Sequence, residues 1–170
     1  MKTEHVGITA TRKGLTATQL KILRASLQDM QSWEGARVFH HGDCLGGDVE
    51  GAAIARELGY RIVAHPPANP KLRAYDKADE IREPLSYVVR NRNIVDETAT
   101  LFACPDGPER QHSGTWLTVR YARKVGARYQ VIGPVGGLYE ERAGWDGYQA
   151  GTYQLPSPAP AQFRTEERDQ

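Results

Sequence analysis

The stretch RVFHHGDCLGGDVEGAAIARELGYRIVAH, Arg37–His65, decides the fold. It opens with the β-rich run Arg37–His41 and turns through Gly42-Asp43-Cys44. A helical segment follows over Gly47–Leu58, and a second β-like run closes the unit at Tyr60–His65. Gly59 stands at the C′ position, where a left-handed residue ends a helix. Both β runs are apolar on successive residues, the pattern of strands covered on two faces. A strand–helix–strand unit of this size joins parallel neighbours.

The same alternation extends in both directions. His5–Thr9 reads as a strand before this unit, and Thr16 is a good N-cap for a helix over Ala17–Met30. Leu20, Leu23, Leu27 and Met30 give that helix its apolar stripe. After His65, Pro66-Pro67 stops the chain, and a polar stretch over 68–83 leads to a helix opening near Pro84 and running to about Asp96. Thr98–Cys104 is a fourth strand, Gly114–Val125 a helix stopped by Gly126, and Arg128–Gly133 a fifth strand. The expected fold is α/β: a small, doubly wound, Rossmann-like parallel sheet of about five strands. Residues 1–134 form this domain. Residues 135–170, rich in Gly and Pro, form an irregular, partly disordered extension, where Trp145, Tyr148 and Tyr153 cover the core or another subunit.

Composition narrows the function. At 170 residues, one domain with its own core is expected. The 22 Lys and Arg nearly cancel the 21 Asp and Glu, unlike a strong, sequence-independent nucleic-acid binder. No apolar run reaches the roughly 20 residues of a membrane span, and the N-terminus lacks a signal-peptide pattern. A cytoplasmic location is expected, with Cys44 and Cys104 reduced and buried, since they lack CxxC partners.

Ligands of open parallel sheets bind beyond the carboxyl ends of the strands. Here those ends are Thr9-Ala10-Thr11-Arg12, His41 to Asp48, and the loop ending His112-Ser113-Gly114-Thr115. Each precedes a helix, whose free amides favour anions. Together with Arg12, Arg90 and Arg92 they point to a phosphate-bearing ligand. The chain has neither GxGxxG after a strand nor GxxxxGK[ST], so neither NAD in the usual Rossmann manner nor ATP on a P-loop is expected. Alternation sends His40 and His41 to opposite faces, so they cannot grip one ion, and no metal or other cofactor is expected.

These residues resemble the SLOG superfamily, which groups DNA-processing protein A with the Lonely Guy phosphoribohydrolases. Thr9 and Arg12 loosely match the Gly-Ser-Arg turn of the former, and His41-Gly42-Asp43-Cys44-Leu45-Gly46-Gly47-Asp48 resembles its S-G-x-A-x-G-x-D segment. Arg90-Asn91-Arg92-Asn93-Ile94 matches G-R-N-R-x-I, and Ser113 to Ala122 matches S-G-S-x-x-T-A-x-x-A. The four matches keep their order across residues 5–133. The resemblance implies a nucleotide or nucleotide-derived ligand on Thr9, Thr11, Arg12, Gly42, Asp43, Gly46, Gly47, Arg90, Asn91, Arg92, Ser113, Gly114, Thr115 and Thr118. It also implies self-association through the Arg- and aromatic-rich helices.

Members differ in activity. Some bind single-stranded DNA, some cleave the base from a nucleoside monophosphate, and others sense nucleotide-derived signals, including in antiviral systems. The phosphoribohydrolase motif G-G-x-G-T-x-x-E places Thr118 where its catalytic Glu stands, and a hydroxyl cannot supply that negative charge. Binding without turnover is therefore favoured. The alternative is an N-glycosidase or base-exchange enzyme using a relocated carboxylate: Asp43, Asp48 or Glu97, with Asp48 preferred and His41 as ligand contact or general acid. Single-stranded DNA is a lesser alternative, through Arg120, Arg123 and Lys124, because no aromatic interleaving accompanies them. Arg90 and Arg92 stand two apart and point apart, so one of them, Arg90 by preference, faces the ligand and the other makes a surface or subunit contact; ion pairs to Asp96, Glu83 or Glu97 are the alternative.

Overall fold

The computed structural model describes residues 3–30, 35–136 and 138–140. Their seven strands lie in one sheet in the order β4-β3-β2-β1-β5-β6-β7. The strands are β1 (Glu4–Ala10), β2 (Arg37–His41), β3 (Arg61–Ala64), β4 (Glu80–Ile81), β5 (Thr100–Cys104), β6 (Tyr129–Ile132) and β7 (Leu138–Glu140). All neighbours pair in parallel except β6 and β7. Helices α1 (Ala17–Asp29) and α2 (Gly47–Glu57) cover one face; α3 (Tyr87–Glu97) and α4 (Gly114–Val125) cover the other. This is the doubly wound α/β architecture expected from the strand–helix alternation.

Local chemistry explains the boundaries. Thr16 and Gln19 form a reciprocal capping box at the start of α1. Leu23 and Leu27, one turn apart, pack with Ile8, Phe39, Ala52 and Ile62 in the first core layer. Across the sheet, Ile94, Leu101, Trp116, Val119 and Val131 make the second. Each such large side chain, fully withdrawn from water, contributes about 2 kcal/mol. Gly126 ends α4 at φ 71, a left-handed conformation that Gly adopts without strain. Cys44 and Cys104 are buried free thiols, and burial pushes both up from the ordinary thiol range.

Three features differ from the sequence reading. The count of about five strands falls short by β4 and β7. Strand β4 is two residues inside the polar stretch, held by Arg82 N–H to Ala64 O at 2.9 Å. Strand β7 lies within the segment assigned to an irregular extension, so regular structure continues past residue 134. Helix α3 opens at Tyr87 after Ser86, not near Pro84, because Leu85 is taken up in a bridge to Pro67. The Leu85 N–H bonds Pro66 O at 3.2 Å, which holds Leu85 outside the helix. Trp145, Tyr148 and Tyr153 lie outside the described residues. No helix among the described residues is long and apolar enough to cross a membrane.

Candidate functional site

The strand order reverses between β1 and β5, so the chain leaves these adjacent strands toward opposite edges. Their carboxyl ends stay joined one residue further, by Thr11 N–H to Cys104 O at 3.0 Å. Beyond that bond the β1–α1 and β5–α4 loops part and leave a cleft, the usual ligand position of an open sheet. Its larger chamber, about 530 Å³, is lined by Arg12, Tyr87, His112, Ser113, Gly114 and Arg120, with Leu72 and Leu117 as apolar wall. A smaller chamber of about 180 Å³ adds Thr11, Lys13, Asp106, Arg110 and Thr115.

The start of α4 borders the cleft. The Ser113 side chain accepts the Trp116 N–H at 3.4 Å, and the Ser113 carbonyl accepts the Leu117 N–H at 2.8 Å. Gly114 and Thr115, in the first turn, have no intrahelical acceptors for their amides, at the positive end of the helix. Gly114 lets the Tyr87 ring lie against the helix start, since a Cβ there would meet the Tyr87 hydroxyl at 1.5 Å and push the ring aside.

Charge around the cleft is partly cancelled. Asp106 takes Arg110 at 2.7 Å and Lys13 at 2.8 Å, and these partners hold its carboxyl down to about 2. Glu109 takes both Arg120 and Arg123 at 3.4 Å. Two of the three cations in the basic group read from α4 are therefore paired with the preceding loop. The exposed Arg12 guanidinium has no ion-pair or hydrogen-bond partner among the described residues. It is a cleft cation with no acid facing it, whereas Asp106 and Glu109 are each shared by two cations.

The second glycine-rich loop packs against the β1–α1 loop. A Cβ on Gly46, at φ 91, would lie 2.4 Å from the Arg12 carbonyl oxygen, and one on Gly47 2.5 Å from the Ala10 Cβ. Gly47 N–H bonds Thr11 O at 2.9 Å, and Leu15 N–H bonds Glu50 Oε2 at 2.6 Å. These contacts seat the β1–α1 loop on the start of α2 and so set where Arg12 stands.

Asp48 and Arg90, assigned separately from the sequence, form one buried pair. Arg90 Nη1 lies 3.6 Å from Asp48 Oδ2, with the two side chains only 3% and 7% exposed. Arg90 also donates to Cys44 Sγ at 3.0 Å and lies over the Tyr87 ring. Gly42 leaves the space for it, since a Cβ there would fall 1.3 Å from Arg90 Nη1. Burial raises the Asp48 pKa; Arg90, His41 and the Cys44 and Gly42 amides oppose that rise. The pair lines neither chamber.

Asp43 and His41 tie the segment after β3 over this loop. Asp43 is fully buried at φ 48; it receives Arg73 Nε at 2.5 Å and the Asp76 N–H at 2.9 Å. His41 Nδ1 accepts the Asp43 N–H at 3.1 Å, while Nε2 faces Asp76 Oδ2 at 3.4 Å. His41 and Arg56 together hold the Asp76 carboxyl down to about 2. Thr9 is buried within β1 opposite Ala103. Asn91 Nδ2 donates to Thr118 Oγ1 at 2.9 Å, which donates to Gly114 O at 2.9 Å, bracing α3 against α4. Arg92 lies over Tyr121 along a groove between those helices, with the exposed Val88 and Leu117.

Of the residues named from the sequence, the fold brings Thr11, Arg12, His112, Ser113, Gly114, Thr115 and Arg120 to one cleft. The reading missed Tyr87, Lys13, Asp106 and Arg110 there. Tyr87 is the first residue of α3, and its place in the cleft follows from where that helix begins.

No family profile matches the chain, and no curated protein matches it in sequence. Solved structures share its fold. DNA processing protein A from Streptococcus pneumoniae aligns with a TM-score of 0.56 at 19% identity, covering 76% of this chain and 50% of that one. The Helicobacter pylori protein, whose structure describes its single-stranded DNA binding, aligns with a TM-score of 0.54 at 19% identity, over 76% and 65%. The molybdenum cofactor binding protein of Rippkaea orientalis aligns with a TM-score of 0.59 at 19% identity, over 78% of both chains. This chain thus spans half to two-thirds of the two DNA processing proteins. Its Rossmann-like fold is the one the resemblance implied.

Proposed function

From this shared fold and the open charge at the switch point, we propose that the protein binds a nucleotide or nucleotide-derived small molecule through its phosphate. The phosphate lies between Arg12 and the Gly114 and Thr115 amides, with sugar and base against Leu72, Tyr87 and Leu117. The observation that carries this reading is Arg12, unpaired beside the start of α4 in a concave site. A helix N-terminus with a facing guanidinium is a ready anion site. A chamber of about 530 Å³ is also within the size range of small-ligand pockets.

Retention of the intact ligand is favoured over its cleavage. No carboxylate lines the larger chamber among the described residues, and Asp106 in the smaller one is held by two cations. Asp48 is committed to Arg90, and the Thr118 hydroxyl to Asn91 and Gly114. Single-stranded DNA is the weaker reading, because Arg110, Arg120 and Arg123 already face acids. Any self-association would use the α3–α4 groove.

Thermal unfolding with a panel of nucleoside monophosphates, matching nucleosides and short oligonucleotides tests this. A monophosphate at 100 times its Kd adds about 2.7 kcal/mol, a rise of about 5–10 °C for a chain this size. The matching nucleoside should give little, Arg12→Ala should remove most of the rise, and chromatography should recover intact ligand. Free base would establish turnover. Stabilisation by oligonucleotides alone, falling steeply with salt, would replace this reading with the DNA one.

A further inference from the structure

Three histidines from the β1, β2 and β3 region meet on the α3 side of the sheet. His40 Nε2 lies 2.9 Å from His5 Nδ1, and His40 Nδ1 lies 2.9 Å from His65 Nε2. Glu97, the last residue of α3, brings Oε2 to 3.8 Å from His40 Nδ1. His40 and His65 are almost fully buried, while Glu97 is exposed at the rim. The approach of α3 depends on Gly7, the β1 partner of His40. A Cβ at Gly7 would strike Ile94 at 2.8 Å and Thr98 at 3.1 Å, on the turns that carry Glu97.

We propose that His40 Nδ1, His65 Nε2 and Glu97 Oε2 bind one divalent transition-metal ion, with zinc as the type. Their ligand atoms lie within 4.8 Å of one another. Two imidazole nitrogens and one carboxylate oxygen make a set suited to zinc, with a fourth position left for solvent. Bonds of about 2.0–2.1 Å at a tetrahedral angle place ligand atoms about 3.3 Å apart. From that spacing, His40 and His65 need to part by about 0.4 Å and Glu97 to close on His40 by about 0.5 Å, and no pair of ligand atoms has to close by more than about 1.5 Å. His5 supplies the outer contact: as acceptor for the His40 Nε2–H, it fixes the tautomer that leaves Nδ1 free to bind.

The ion would displace two existing interactions, the His40–His65 hydrogen bond and the grip of Arg82 on Glu97 at 2.8 Å. Arg82 is therefore the internal competitor of the metal. The site shares no residue with the phosphate cleft and does not depend on it.

The test is calorimetric titration of the chelator-treated full chain with Zn²⁺, alongside visible absorption on adding Co²⁺. One equivalent of Zn²⁺ should bind, and Co²⁺ should give the intense bands of a four-coordinate site. His65→Gln and Glu97→Gln should each weaken binding at least about tenfold, and Arg82→Met should tighten it. Circular dichroism checks folding of each variant. If His65→Gln does not fold, the two rim variants, Glu97→Gln and Arg82→Met, decide. Absence of stoichiometric binding, or zinc affinity unchanged in Glu97→Gln, overturns the proposal.

Discussion

Replacing Asp48 by Asn separates its structural role from a catalytic one. The substitution keeps shape and an acceptor oxygen for the neighbouring amides but removes the charge facing Arg90. At the observed 3.6 Å, an effective dielectric of 20 gives an attraction of about 4–5 kcal/mol. Both side chains are nearly inaccessible to water, so screening removes little of this. Much of the attraction offsets the cost of burying the two charges, yet removing one partner strands the other, typically at 3–5 kcal/mol. Burial outweighs Arg90 in setting the Asp48 pKa, so the expected loss lies at the low end of that range, about 3 kcal/mol, still large against a total stability of 5–15 kcal/mol. In urea, with a slope near 2 kcal/mol per molar, the midpoint should fall by roughly 1.5 M. Arg90→Met should then cost less in the Asp48→Asn background than alone, because the stranded guanidinium is gone. A loss below about 1 kcal/mol, or strict additivity of the two substitutions, would refute the buried-pair reasoning.

Other outcomes follow from the same geometry. In metal-free protein, burial and neighbouring charges lower His40 to about 3 and His65 to about 4, from an ordinary value of 6.5. The unfolded chain therefore takes up protons first as pH falls, and stability drops from about pH 6.5 toward pH 4 by about 2 kcal/mol per pH unit. Urea midpoints at pH 7, 6 and 5 check this, and a flat profile would contradict it; Asp76 and Asp106 add losses only below about pH 4. Gly46→Ala combines a strained φ of 91 with a 2.4 Å clash against the Arg12 backbone, so it should cost about 2–4 kcal/mol and weaken ligand binding. Gly59→Ala, at φ 80 with nothing within 4 Å, should cost only about 1 kcal/mol and leave binding intact.

The fold was largely legible because its signals are local. Thr16, Gly59 and Gly126 mark helix ends through their own local chemistry, and continuous apolar runs mark the central strands. The two missed strands carry no such signal: Glu80–Ile81 is too short for a pattern, and Leu138–Glu140 follows a Gly-rich turn. The cleft was legible at Thr11, Arg12 and Ser113 to Thr115, because βα turns beside a switch point announce themselves. Partners across the fold did not. That Arg90 reaches back to Asp48 rather than outward depends on the space left by Gly42. That His5, His40 and His65 meet depends on strand register, in which Gly7 pairs with His40. Neither relation has a sequence period.

The most direct test of the phosphate site is amide chemical-shift mapping during titration with a nucleoside monophosphate. The Gly114 and Thr115 amides should move furthest, with smaller changes at Thr11, Arg12 and Lys13, and Arg12→Ala should abolish the response at matched concentration. Shifts confined to the α3–α4 groove around Arg92 and Tyr121, or an unchanged response in Arg12→Ala, would contradict it.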